Sequence, residues 1–125
     1  PFPLSKFDQL RLEHHEDQEV AEGKAEWTAM GDYFSWGSPS FVVDSANKDP
    51  LGRPVRDYLY VNICTEDVSW PAPRAEEILR RARRAKLHTT YDCVWGFTQV
   101  AIDRATSNLL ALNTQRGLLR QRRRR

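Results

Sequence analysis

Residues 40–63 read SFVVDSANKDPLGRPVRDYLYVNI. Phe41-Val42-Val43 is a short β-prone run, and Asn47, Asp49-Pro50 and Gly52 after it are breakers of regular structure. Val55, Asp57, Leu59, Val61 and Ile63 then alternate with Arg56, Tyr58, Tyr60 and Asn62, the two-residue period of a strand with unlike faces. The stretch predicts a β-hairpin over 40–63 with a polar tip at 45–53. A hairpin flanked by helical patterns, without strand-helix-strand alternation, predicts an α+β fold.

Upstream, WGSPSFVVD at 36–44 enters the hairpin through the turn residues Gly37-Ser38-Pro39. Residues 1–35 form an N-terminal helical segment in this reading. Ser5 followed by Asp8 is an N-cap pattern, Leu10, Val20, Ala21, Ala25, Trp27 and Ala29 give a patchy apolar stripe over 5–30, and Gly31 is the predicted stop.

Downstream, Trp70-Pro71-Ala72-Pro73 is a stiff extended connector. It delivers RAEEILRRARRAKL at 74–87, where Ala75, Ile78, Leu79, Ala82 and Ala85 fall at helical spacing and predict a buried stripe. LHTTYD at 87–92 then reads as a strand. FTQVAID at 97–103 and NLLALNT at 108–114 read as two more, paired across RATS at 104–107. The predicted sheet is a partial antiparallel one, followed by an Arg-rich tail at 118–125.

The 125 residues suit one domain, and 40% hydrophobic content is globular. No run has the length or form of a membrane span or a signal peptide, so no membrane contact and an intracellular setting, nucleus or organelle, are expected. The two cysteines, Cys64 and Cys93, are too few for a disulfide scaffold and read as buried thiols in a reducing compartment.

Other chemistry is weakly encoded. His14-His15-Glu16-Asp17 invites a metal reading, but neighbours on a helix diverge and at most a partial site results. Cys93 beside Asp92 is a poor nucleophile, and His88 at an odd strand spacing faces away from it. There is no P-loop and no GxGxxG.

Charge is segregated. Residues 1–50 carry 4 Lys/Arg against 10 Asp/Glu, whereas residues 51–125 carry 15 against 7. Arg80, Arg81, Arg83, Arg84 and Lys86 crowd one helix, and Arg116, Arg120, Arg122, Arg123, Arg124 and Arg125 the C-terminal run. Such a stripe predicts sequence-independent, salt-dependent contact with RNA or DNA phosphates. Trp36, Trp70, Trp95 and Tyr58 are candidates for base stacking.

Five blocks in order carry a resemblance: WGSPSFVV (36–43), GRPVRDYLYVN (52–62), WPAPRAEEIL (70–79), TTYDCVWGFTQVAI (89–102) and LLALNTQRG (109–117). Together they resemble the reverse transcriptase of gypsy-like long-terminal-repeat retrotransposons over residues 36–117, its fingers and the start of its palm. The resemblance implies that Asp92 stands at a catalytic, Mg²⁺-binding carboxylate position, and that Phe97 lies beneath the sugar of an incoming nucleotide. Gln99 matches the glutamine of the same block, Arg53 matches a triphosphate contact, and Lys48 is the candidate lysine of the hairpin tip.

The matched segment stops before the family's aromatic-x-Asp-Asp hairpin, which holds the remaining metal-binding acids. Leu59 stands where the family usually has arginine, and LALNT replaces its usual Thr-Ala-Phe. One carboxylate does not hold two Mg²⁺ ions. The expectation is a truncated reverse-transcriptase-like chain that is not an enzyme alone and has no cofactor of its own, with Mg²⁺ only in a complete polymerase. Two further expectations stand beside it: a reused subunit of a ribonucleoprotein such as an organellar ribosome, with other protein subunits as partners, and a protein-protein module using the acidic N-terminal helix.

Overall fold

The computed structural model describes residues 3–29, 36–45, 49–94 and 96–123. The fold is α+β, a helix packed on a five-stranded mixed sheet of order β1-β5-β4-β2-β3.

Helix α1 spans Lys6–Ala21. Its N-cap is the predicted one: Ser5 Oγ accepts the Asp8 N–H at 3.1 Å and donates to the Asp8 carboxylate at 2.7 Å. Its end is earlier than the apolar stripe suggests. Gly23 takes φ +68°, its N–H donates to the Val20 carbonyl, and the Lys24 N–H donates to the Glu19 carbonyl. Glycine at that position closes the helix in a Schellman motif. The expected helix over 5–30 is corrected accordingly: Ala25–Trp27 is strand β1, and Gly31 lies outside the described residues.

The predicted hairpin forms, but is shorter. Strand β2 (Ser38–Val43) pairs antiparallel with β3 (Arg53–Arg56), Phe41 opposite Val55 and Val42 opposite Pro54. Proline is tolerated because β3 is an edge strand. The alternation through Ile63 does not continue as strand. Asp57 Oδ1 accepts the Leu59 N–H at 3.0 Å, an Asx-type turn that starts the short helix α2, Leu59–Ile63.

Helix α3 spans Ala75–Ala82. Its predicted buried stripe is not buried: Ile78 is 53% and Leu79 67% exposed. The strand expected at 87–92 is absent too, and those residues are exposed without regular structure. Propensity needs a surface or a strand partner to be realised, and the described chain offers this segment neither.

Beyond a 3₁₀ turn at Gly96–Gln99, the expected strand 97–103 leaves only a bridge from Ala101 to Arg123. RATS is not a hairpin turn. The Asp103 side chain accepts the Thr106 N–H at 2.7 Å and caps helix α4, Arg104–Leu109. The tight hairpin lies ten residues on, between β4 (Leu112–Thr114) and β5 (Gly117–Gln121), with Gln115 and Arg116 at its tip. β4 runs parallel to β2, so the sheet is mixed.

The core is Ala25, Leu112 and Leu119, with Val20 and Tyr58 packed against it. β5, which carries part of the basic C-terminal run, holds the buried Leu119, Arg120 and Gln121. α1 buries a polar face, Arg11, Glu16 and Glu19, beside a single leucine, Leu12.

Candidate functional site

A helix that buries arginine and glutamate must pair them. Arg11 donates from Nε to the Leu51 carbonyl at 3.2 Å and from Nη2 to Asp44 at 3.0 Å, and His15 Nε2 lies 3.1 Å from the same Leu51 carbonyl. Glu19 holds Arg56 of β3, Nη2 to Oε1 at 2.6 Å. Arg11, His15 and Glu19 recur every fourth residue, so one polar stripe of α1 clamps the hairpin. That spacing is present in the sequence, but its residues are polar and fall outside the apolar stripe.

The clamp leaves a cleft of about 350 Å³ between the second half of α1 and the returning limb of the hairpin. His15, Lys24, Gly52, Arg53, Thr98 and Gln121 are among its lining residues. Gly52 sits at φ +63°, where an added Cβ would lie 2.5 Å from the Val43 carbonyl and closer still to the Arg11 guanidinium. The conformation admits glycine and little else, and the next residue, Arg53, lines the cleft. Glu22 is bound by Lys24, whose hydrogen bond holds its pKa below the ordinary value. Glu19 is taken by Arg56. Arg53 has no ion-pair partner among the described residues.

The structure brings some of the predicted site residues together and separates others. Thr98, between Phe97 and Gln99, shares the cleft with Arg53. Phe97 itself is exposed, and the Gln99 amide donates to the Val94 carbonyl at 2.9 Å. Asp92 is exposed in the irregular segment before the 3₁₀ turn, does not line the cleft, and meets no partner among the described residues. Lys48 lies outside the described residues.

The predicted cations divide in two. Arg80, Arg81, Arg83, Arg84 and Lys86 are all exposed on and after α3, with Arg81 on Glu77 at 2.6 Å as a surface i,i+4 pair. The C-terminal cations are largely engaged. Arg116 binds Glu16 and Asp17, each at 2.8 Å, and lies over the Trp27 ring at 4.8 Å. Arg120 is buried against Glu26, with Nε to Oε1 at 2.8 Å. Arg122 lies 3.6 Å from Glu26, and Arg123 donates to the Gln99 carbonyl at 3.3 Å. Arg124 and Arg125, like Trp95, lie outside the described residues.

Other expectations are corrected. Cys64 and Cys93 are exposed, not buried, and both lie in the stretch 62–94, nearly all of which is exposed. Tyr58 is not available for stacking: it packs on the core, its hydroxyl donates to the Leu110 carbonyl at 3.4 Å, and burial pushes its pKa up to about 12. No group of three or more His, Cys, Asp or Glu residues converges on a metal-sized space among the described residues. Asp92 belongs to no such group. No described helix is long and apolar enough to cross a membrane.

No family model matches the chain. It is 23% identical over 119 residues, 94% of its length, to a putative enzymatic polyprotein of Cassava vein mosaic virus. It is 29% identical over 82 residues to the enzymatic polyprotein of Cauliflower mosaic virus (strain NY8153) and 30% over 82 residues to that of Figwort mosaic virus (strain DxS), 64% of the chain in each case. The chain spans 18% of the first relative's length and 12% of the other two. These likenesses support a retroelement-related origin and do not single out the gypsy-like group.

Proposed function

We propose that the chain is the fingers and early palm of a reverse-transcriptase-like domain, and that by itself it holds RNA or DNA by the backbone without polymerising. The observation that carries the reading is the shared cleft. Arg53, at the family's triphosphate-contact position, and Thr98, inside the block that holds Phe97 and Gln99, come from sequence 45 residues apart and line one space. The likeness to viral enzymatic polyproteins supports the same origin.

The cations of α3 and the residues after it supply the phosphate contacts in this proposal, since their side chains are exposed. Phosphoryl transfer needs metal ions held by converging carboxylates, and Asp92 alone does not provide them. The test is primer extension and RNA binding by the pure 125-residue chain. The reading expects salt-sensitive binding of single-stranded RNA and no extension. Extension that disappears in Asp92→Ala would overturn the non-polymerising half, and absence of RNA binding at low salt the binding half.

A further inference from the structure

The start of β2 and the start of α2 meet in a second cleft, with a lining of its own. Trp36, Gly37, Ser38, Pro39, Asp57 and Tyr60 surround about 370 Å³. The rings of Trp36 and Tyr60 stand edge to face, centroids 6.3 Å apart and planes at 68°, so two aromatic walls meet at a corner. Asp57 is held by its backbone: its N–H donates to the Pro39 carbonyl at 3.0 Å. One carboxylate oxygen, Oδ1, accepts the Leu59 N–H. The other, Oδ2, meets no partner among the described residues. The floor is firm, since a Cβ at Gly37 would lie 3.2 Å from Leu118 Cδ2 and 3.3 Å from Asn113 Cβ.

We propose that this cleft binds a basic side chain, arginine or lysine, of a partner polypeptide. A cation is attracted to the electron-rich faces of tryptophan and tyrosine and to a carboxylate with an open oxygen. No lysine or arginine lines the cleft to compete for that carboxylate or to attract a phosphate. The site therefore has the opposite electrostatic sign to the α3 surface. Of the residues read as nucleic-acid contacts, it uses Trp36 alone, a base-stacking candidate, and none of the phosphate-binding cations.

The test is an NMR titration of the full ¹⁵N-labelled chain with Nα-acetyl-arginine amide and Nα-acetyl-lysine amide. Nε-acetylated lysine and guanosine monophosphate are the contrasts. The expected result is saturable shifts at the Trp36 indole N–H and the Gly37 and Tyr60 amides with both cations, and none with acetylated lysine. Tyr60→Ala removes an exposed ring, and Asp57→Asn keeps an acceptor for the Leu59 N–H. Each should weaken binding about threefold, the size of one exposed cation–π or ion-pair contribution. No saturable shift at the cleft would overturn the proposal, as would shifts unaffected by both variants. Guanosine monophosphate matching or exceeding the cations would reassign the cleft to a nucleobase.

Discussion

Arg56 and Glu19, 37 residues apart, form an ion pair closed off from solvent: Nη2 of Arg56 lies 2.6 Å from Oε1 and 2.7 Å from Oε2 of Glu19, and the two side chains are 3% and 8% exposed. This pair fastens α1, the longest described helix, to the edge strand of the hairpin. Among the described residues it is incompletely satisfied, because Arg56 Nε and Nη1 and the facing Ser40 Oγ meet no partner there. Removing one member of such a pair leaves a buried charge, so Glu19→Ala should cost about 3 kcal/mol or more in urea unfolding. Replacing both, with Glu19→Leu and Arg56→Met, should recover most of that loss, since desolvation offsets much of the attraction. A Glu19→Ala chain with the parent's unfolding midpoint would contradict the clamp.

Gly52 sets the hairpin against α1. At φ +63°, with the Val43 carbonyl 2.5 Å from where a Cβ would sit, Gly52→Ala meets both backbone strain and a backbone obstacle. The expected loss is about 2 kcal/mol, within the range for strained backbone positions. The same change should move Arg53, so the amide shifts of Leu51 and Arg53 in the variant report the cleft directly. Unchanged stability would mean that the turn relaxes freely.

The fold class and the hairpin were legible because breakers and alternation act locally: Ser5 with Asp8, and the return from Val43 to Arg53, need no distant partner. The later half was not legible, for two reasons. Strand signals at 87–92 and 97–103 describe residues that fit a sheet, and no described strand pairs with the first of them. The basic run 116–125 reads as a stripe for nucleic-acid phosphates, yet Glu16, Asp17 and Glu26 neutralise Arg116 and Arg120 from 94 to 100 residues away, which lets β5 enter the sheet. Composition records those acids and bases as segregated charge. The fold spends part of that segregation on internal pairing.

Two carboxyls should give stability opposite slopes with pH. Burial raises the Glu16 pKa above the usual 4.5, and the Arg116 hydrogen bond only partly offsets it. The folded chain keeps that proton to higher pH than the unfolded one, so stability falls as pH rises from about 4.5 through the raised value. The Asp103 pKa is lowered from 3.8 by the Thr106 N–H that it caps. Its contribution is complete above 3.8 and is lost as pH falls through the lowered value. Urea midpoints across the acid range test both. Glu16→Gln should flatten the fall above pH 4.5, and Asp103→Asn should flatten the acid-side loss. The reverse assignment would refute the burial account of Glu16.

Salt dependence separates the two sets of arginines. Each phosphate contact to a single strand contributes roughly 0.7 to the slope of log affinity against log salt. Arg80, Arg81, Arg83 and Arg84 are exposed, and the Arg81 pair with Glu77 is a surface pair of small worth. Changing all four to glutamine should reduce the slope for single-stranded RNA by about 3, following the same per-contact value, and leave the urea midpoint unchanged. Arg120 is buried on Glu26, so Arg120→Gln should lower the urea midpoint and leave the slope as it was. Fluorescence anisotropy on one labelled RNA across a salt series reads both variants. If the slope follows Arg120 and ignores the α3 arginines, nucleic acid does not lie on α3, and the assignment of that surface fails.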